Sequence, residues 1–520
     1  GSVAGKEVVQ VYSNPPYVNG GVEKASANLV QFEKTALLQP GASETVTITV
    51  EKDDLMSYDY ETAGTYVLEA GDYIISINSD SHNVLDQRVY TVSSTEIGTH
   101  TDETKAENRF DFANGDLTYL SRADGFANYA EATAAPASYE ISAEAKASFY
   151  NNSNYLNAEA TAKDEDEGAA AITTGAANGL KLVDMRGVDK NDAKWDTFMD
   201  QLTLDDMNAL ISLSGYQTNS VDSIGKVRTN DCDGPASINN NFTGKGSIGF
   251  PIGIVISATF NKDLAYRFGE SIGKMADEMD VSGWYAPAMN IHRTAFAGRN
   301  FEYYSEDGML SGLIAAQAVK GAASQGVYAY MKHFALNDQE GNRCGMLCTW
   351  SNEQAIREVY LKPFEKCVKD ADCKAVMSSF NYIGNRWAGG CSELLIDVLR
   401  GEWGFDGFVE TDYFGVYGYM SSDMAIRNGT DTMLVNYPTE TNNVSFRDTN
   451  GAQQAMRTSA KNILYVVANS RAYYDDNLNP GMAGWRKLLI GADVILGALL
   501  VCWEIGNIKR YGKRKKEAEA

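Results

Sequence analysis

Positive charge is what this sequence has least of for its size. Its 520 residues carry 45 Lys and Arg against 69 Asp and Glu, a formal net charge of −24. So acidic a chain lacks the basic surface that phosphate backbones require, which excludes a nucleic-acid partner. Lys509, Arg510, Lys513, Arg514, Lys515 and Lys516 bunch at the extreme C-terminus, so the body is more acidic still. Cysteine is sparse and unpatterned. The seven (Cys232, Cys344, Cys348, Cys367, Cys373, Cys391, Cys502) are an odd number without zinc-ribbon spacing. No metal or other cofactor is expected, and most are read as free thiols, a Cys344–Cys348 pairing being the alternative. An initiating Met and a signal peptide are also missing, and the strand-like EVVQVY follows after six residues. The expectation is that the sequence begins inside a domain, with its first strand missing.

Long apolar runs are absent except for LLIGADVILGALLVCW, residues 488–503. It falls short of the roughly 20 residues that span a bilayer, and Asp493 would cost about 2.5–3.5 kcal/mol at the midplane. In its favour, Trp485 and Trp503 flank it as interfacial anchors, and the basic cluster follows where the positive-inside rule puts cytoplasm. The expectation is a transmembrane helix over 484–508 and a cytoplasmic tail over 509–520, which places the protein at the cell membrane with its body outside. The alternative is a buried or interfacial helix with Arg486, Asp493 and Glu504 on one face.

At 44% hydrophobic and 22% charged, the chain has the material for two to four packed domains. Over residues 1–96, EVVQVYSN, TVTITVEK, GTYVLEAG, DYIISINS and RVYTVSS recur near ten-residue spacing between Gly, Pro, Asn and Asp turns, the pattern of a β-sandwich. Residues 97–185 are rich in Ala, Glu, Thr and Ser and read as a partly ordered linker, with FANGDLTYLSRADGFANY (112–129) aromatic enough to dock on a neighbour. From 186 to 470, short apolar runs alternate with helical patterns such as NKDLAYRFGESIGKMADEMD, SGLIAAQAVKGAAS and GAQQAMRTSAKNILYVVANS. That alternation implies a parallel sheet, and the size suits a (β/α)8 TIM-like barrel. The fold class is thus multidomain, α/β with all-β.

Within that region GEWGFDGFVETDYFG (401–415) places Asp412 at the C-terminal end of a short strand, where active-site side chains sit in such barrels. A lone Asp there more often caps the next turn. Here KVRTNDCDGP, GWYAPAMNIHR, GVYAYMKHFALNDQE and KAVMSSFNYIG also run from apolar to polar, so Asp233, Asn290, Arg299, Lys332, His333, Asn381 and Asp412 are expected to converge on one pocket. Such a set suits a sugar.

GRNFEYYSEDGMLSG (298–312), KHFALNDQE (332–340), SNEQAIREVYLKPFE (351–365), LRGEWGFDGFVETD (399–412) and DGPASI (233–238) closely resemble the barrel domain of glycoside hydrolase family 3, the β-glucosidase family. GKEVVQVY and LVQFEKTALLQPGASETVTITV resemble that family's fibronectin type III-like domain. The resemblance implies a retaining β-glycosidase for terminal β-D-glucosides or β-linked oligosaccharides, with Asp412 as nucleophile. Asp233, Arg299, Lys332 and His333 match its sugar-binding residues, and Tyr413 matches an aromatic position, usually Trp, beside the leaving-group sugar. Taken singly, Arg299 with Glu302 could be a salt bridge, His333 a core histidine and Lys332 a solvated lysine. Phe380 stands where many relatives carry Tyr. The sequence after His333 lacks the Pro-Gly-His-Gly loop of the N-acetylglucosaminidase branch, which favours a glucosidase-like substrate.

The fibronectin-like segment precedes the barrel, which resembles the family's inverted arrangement. There an α/β sandwich upstream would carry the acid/base, and none is recognisable in this sequence. Two other readings stand beside this one: a non-catalytic, membrane-anchored carbohydrate-binding protein, and hexosaminidase or phosphorolytic chemistry.

Overall fold

A computed structural model describes residues 1–98, 105–135, 138, 140, 143–149, 168–415, 417–437, 442–478 and 484–520. Gly1–Arg471 make one compact unit and Ala472–Ala520 a second. Residues 150–167 of the expected linker lie outside the described residues.

Residues 8–97 fold as two antiparallel sheets. Strands β1 (Val8–Asn14), β2 (Asn28–Lys34), β5 (Gly71–Asn78) and β6 (Val84–Val92) pair in the order β2-β1-β5-β6, and β3 (Ser57–Asp59), β4 (Thr65–Leu68) and β7 (Glu96–Ile97) in the order β3-β4-β7. Tyr58, Tyr66, Leu68, Tyr73 and Val92 form a separate small core. TVTITVEK, expected as a strand, is not one. Its alternation survives as burial, with Val46, Ile48 and Val50 half-buried between exposed threonines. Among the described residues no neighbouring strand takes up its backbone groups, and β-propensity without a ladder partner does not make a strand.

The five apolar-to-polar runs pair side by side and in parallel, as β8 (Asp231–Cys232), β9 (Gly283–Trp284), β10 (Tyr328–Phe334), β11 (Ala375–Ser378) and β12 (Phe408–Glu410). Backbone hydrogen bonds continue beyond both edges. From β12 the Thr411 amide donates to Thr432, the Ser214 amide donates to Met433, and the Asp231 amide donates to Tyr216, so the bonding returns to β8. Helices α1 (Lys262–Glu278), α2 (Gly308–Ala323) and α3 (Lys362–Ala371) lie between successive strands in sequence. Asn261 and Asp307 cap the first two, their carboxamide and carboxylate oxygens accepting from the Leu264 and Leu310 amides at 3.0 and 2.7 Å. α1 and α2 meet backbone to backbone at two glycines: a Cβ on Gly269 would lie 2.0 Å from the Ala318 carbonyl, and one on Gly321 2.1 Å from that of Tyr266.

Sandwich and α/β region share one packed unit. Phe32 of β2 meets Phe260 edge to face at 5.2 Å, and Lys262 Nζ donates to the Phe32 carbonyl at 2.9 Å. The tightest tie is Arg357, 2% exposed. Its guanidinium donates to Glu353 and Glu402 at 2.6 Å each and to the Glu107 carbonyl at 2.6 Å, and it lies 4.7 Å from the Tyr58 ring. Glu353 in turn accepts from the Arg109 and Phe110 amides at 3.0 and 2.6 Å. The linker docks at Ala106–Ala113 and again at Ser121–Asp124, where Ser121 and the Arg122 amide donate to Glu23 and the Asp124 amide donates to Asn19 at 2.9 Å, whereas the side chains of Leu117, Leu120, Phe126 and Tyr129 stay exposed.

The second unit holds the helix Gly484–Glu519, 36 residues without a break and so about 54 Å long. Leu488, Val494, Leu499 and Leu500 are each 60% exposed or more, and the helix is long and apolar enough to cross a membrane. All seven cysteines are free thiols, so the Cys344–Cys348 pairing is not made.

Removing Arg357 would leave two buried carboxylates without their cation, which typically costs 3–5 kcal/mol. Arg357→Met should therefore lower the unfolding free energy of the chain in urea by about that much, whereas Arg267→Met on the open surface should change it by about 0.5 kcal/mol or less. Equal effects of the two substitutions would count against the central role of Arg357.

Candidate active site

Side chains alternate along a strand, so one face of each parallel strand enters the sheet's inner side while the other packs outward. Cys232, Trp284, Ala329, Met331, Val376 and Val409 face the main apolar core. Their neighbours in sequence therefore line the opposite side in tiers. At the deepest tier Asp231 accepts from the Tyr328 and Tyr330 hydroxyls at 2.7 and 2.6 Å, and Phe408 meets both rings edge to face at 5.8 and 5.4 Å. Above it, Tyr285 packs against Tyr330 at 4.8 Å near Glu410. The uppermost tier is Asp233, Lys332 and Asp412, two residues beyond Asp231, Tyr330 and Glu410 respectively.

Asp412 is 8% exposed. Its Oδ1 accepts from the Tyr413 amide at 2.7 Å, while Oδ2 lies 3.7 Å from His333 Nε2 and 3.7 Å from an Arg343 guanidinium nitrogen. Oδ2 has no hydrogen-bond donor among the described residues. Burial lifts the Asp412 carboxyl above the ordinary range, and Arg343, Arg299, the Tyr413 amide and Lys332 pull the other way without overcoming it. The cations thus favour the ionised form, but desolvation outweighs them.

Lys332 Nζ pairs with Asp233 at 3.0 Å, the lysine being buried and the carboxylate half-exposed. Burial raises Asp233, yet Lys332, the Gly234 amide and Arg299 outweigh it and the net shift is downward. His333 is held well below its usual value by burial and by Arg299, Lys332 and Arg343, so its imidazole is neutral. Tyr303 OH lies 3.4 Å from its Nδ1, which orients the ring and leaves Nε2 facing Asp412. Arg299 does bond Glu302, but its charge also acts on Asp412 and Asp233, so the salt bridge holds a pocket residue in place.

The structure thus gathers Asp233, Arg299, Lys332, His333 and Asp412 around one carboxylate. Tyr413 stands apart, contributing its amide while its hydroxyl meets that of Tyr437 at 3.2 Å on the surface. Asn290 and Asn381 belong to the scaffold. Asn290 accepts from the His333 amide at 2.8 Å and donates to the His333 carbonyl at 2.9 Å, and Asn381 donates to the Ala335 carbonyl at 3.2 Å. Sequence reasoning missed Arg343. It lies eleven residues after Lys332, is held by Glu340 at 3.0 Å, and sits 4.7 Å over the Phe380 ring. Its position just past KHFALNDQE was the available signal. Glu410 was also missed, although it lies two residues before Asp412 and hence on the same face. No group of His, Cys, Asp and Glu among the described residues is arranged to hold a metal ion.

A buried carboxylate beside a neutral imidazole and two guanidinium groups, with a Lys–Asp pair at the mouth, defines a polar pocket at the carboxyl ends of parallel strands. In such α/β sheets this is where ligands bind. Residues 238–461 match the glycosyl hydrolase family 3 N-terminal domain, and residues 7–81 a fibronectin type III-like domain, which therefore comes first. Beta-glucosidase A of Butyrivibrio fibrisolvens is 31% identical over 437 residues, 80% of this chain and 50% of that protein. A beta-glucosidase of Ruminococcus albus is 33% identical over 434 residues, 80% of this chain and 42% of that protein. A solved beta-glucosidase from Paenibacillus barengoltzii superimposes with a TM-score of 0.71 at 25% identity, over 90% of this chain and 52% of that one. The chain belongs to glycosyl hydrolase family 3 and spans about half the length of the curated relatives it matches.

Glu410 supplies a pH test. Burial, with Asp231 and Asp412 nearby, holds it well above its ordinary value of 4.5, and only the Tyr285 hydroxyl opposes this. The native state prefers the protonated form, so the stability it contributes is full below pH 4.5 and falls as pH rises toward the raised native value. Glu410→Gln cannot ionise and escapes that loss. In urea unfolding its stability relative to the parent should rise from pH 5 to pH 8, and a relative stability that fell over this range would refute the buried, protonated Glu410.

Proposed function

We propose that residues 186–470 form the (β/α)8-type barrel of a retaining β-glucosidase, with Asp412 as its nucleophile. The backbone hydrogen bonds that return from β12 through Thr432, Met433 and Tyr216 to β8 support the barrel. The observation that carries the chemistry is the strand-end Asp412, nearly buried, with one oxygen held by an amide and the other facing His333 and Arg343. An ionised carboxylate so held can attack an anomeric carbon and form a glycosyl-enzyme. Asp233, Lys332, His333 and Arg299 offer an acceptor and several donors to vicinal hydroxyls of a terminal non-reducing glucose, and Tyr413 stands toward the leaving group.

Retaining hydrolysis also needs a proton donor about 5–5.5 Å from the nucleophile. Glu302 and Glu340 are occupied by Arg299 and Arg343, so neither is free to serve. We place the acid/base in an α/β sandwich outside these 520 residues, in keeping with the greater length of the relatives. In this reading the fibronectin type III-like β-sandwich is 1–96, the linker 97–185, the transmembrane helix 484–508 and the cytoplasmic tail 509–520, with the catalytic region outside the cell membrane. A non-catalytic carbohydrate-binding role would keep the pocket and dispense with Asp412.

Dinitrophenyl β-glucoside, whose leaving group departs without a proton, should be cleaved slowly by the chain and should label Asp412, while cellobiose turnover stays near background. General acid catalysis is worth about 10²–10⁴-fold, and natural glycosides lose most of it here. Asp412→Asn should abolish the aryl-glucoside reaction yet keep glucose binding. Cellobiose turnover near 10 s⁻¹, an ordinary enzyme rate, would show that the acid lies within the chain.

The acid limb of kcat/KM for the same aryl glucoside should lie above the ordinary aspartate value of 3.8, because Asp412 must lose its proton to attack and burial opposes that. Arg343→Gln removes the first cation opposing burial and should move the limb further up. A limb that moved down would contradict the assigned electrostatics.

For the anchor, alkaline carbonate extraction of membranes should leave the chain in the pellet, and truncation after Arg471 should release it. Complete extraction at high salt would assign the helix to an interface.

A further inference from the structure

Strand β6 closes the four-stranded sheet on one side, pairing only with β5 among the described residues, and residues 84–91 are exposed throughout. It carries a heavy apolar load for an open edge, with Val84, Leu85, Val89 and Tyr90 between 43% and 70% exposed. Such an edge is a template for another strand. At its middle the Gln87 amide donates to Asp86 at 2.9 Å, and the Gln87 carbonyl accepts from the Arg88 guanidinium at 2.7 Å. Both main-chain groups of Gln87 thus turn to adjacent side chains, and Asp86 and Arg88 also pair with each other at 2.7 Å.

The sequence Val84-Leu85-Asp86-Gln87-Arg88-Val89-Tyr90 reads the same from either end in apolar and polar character, with the charge inverted about Gln87. Laid antiparallel on itself with Gln87 opposite Gln87, it sets Asp86 opposite Arg88, Leu85 opposite Val89 and Val84 opposite Tyr90, each pair occurring twice. Sliding by two residues either way sets Asp86 against Asp86 or Arg88 against Arg88. Sliding by one sets Asp86 against Gln87 and Arg88 against Leu85, or Arg88 against Gln87 and Asp86 against Val89. Only one register satisfies both charges.

We propose that β6 pairs with β6 of a second copy of this chain across a two-fold axis at Gln87, joining two four-stranded sheets into one of eight. The interface is isologous, so each copy supplies an identical edge. In forming it, Asp86 and Arg88 exchange their partner within the strand for one across it, and the Gln87 main-chain groups exchange side chains for a ladder.

The test uses the full chain in detergent, its mass read by sedimentation. The parent should be a dimer. Arg88→Asp and Asp86→Arg should each weaken it about tenfold or more, because each sets like charges opposite one another twice. An equimolar mixture of these two variants should restore the dimer, since every pair across the axis is then complementary, and recovery also shows both variants to be folded. In a Cys502→Ser background, Gln87→Cys should cross-link two copies under mild oxidation, the paired Cα atoms lying about 5.5 Å apart. Thr91→Cys, opposite residue 83 and far from its own copy, should not. A parent that is monomeric at tens of micromolar would overturn the proposal. So would a dimer indifferent to both charge reversals, which would assign association to another surface such as the Gly484–Glu519 helix.

Discussion

Asp233, Lys332 and Asp412 stand in the pocket because side chains alternate along a strand, while Arg299 and Arg343 reach it from loops. In β12 the alternation sends Val409 outward into the main core and Phe408, Glu410 and Asp412 to the other side, at rising height. In β10 it sends Ala329 and Met331 outward and Tyr328, Tyr330 and Lys332 inward. A slip of one residue in either strand would bury Asp412 or the lysine among apolar helix contacts and turn Val409 or Met331 into the pocket. The apolar face holds the register, and the register holds the chemistry.

That arrangement stacks polar groups deeper than a soluble core normally tolerates. Asp231 is satisfied by two tyrosine hydroxyls, and Glu410 remains protonated instead of charged. A neutral Glu410 beneath Asp412 avoids a second buried negative charge beside that carboxylate. The cations Arg343, Arg299 and Lys332 then act on Asp412 without a charged Glu410 beside it. They still do not bring Asp412 down to an ordinary aspartate, because burial removes more solvation than Arg343, Arg299 and Lys332 return.

The motif SNEQAIREVYLKPFE shows why a strong sequence signal need not be a site. Its Glu353 and Arg357 contact neither Asp412 nor the pocket cations. They knit the linker backbone, the sandwich Tyr58 and Glu402 into one buried network. A charged network without solvent restricts each position to one residue type, as catalysis does, so the two roles look alike in sequence.

Much was legible in the residues themselves. Period-two and period-three-to-four patterns marked the parallel strands and the helices between them, because burying one face leaves that trace in any sequence. Polar residues at strand ends named Asp233, Lys332, His333 and Asp412, and the family resemblance is matched by the relatives and folds the chain is similar to. Tertiary structure decided the rest. TVTITVEK has every local mark of a strand but no pairing strand among the described residues. Asn290 and Asn381 have the right chemistry and position but are taken by backbone groups. Arg343 reaches Asp412 from a loop whose path no local pattern encodes, and Asp412 is set above an ordinary aspartate by burial. Propensity and alternation act between near neighbours and so are written in the sequence. Partnership, desolvation and charge coupling act between residues far apart in the chain and exist only once it has folded.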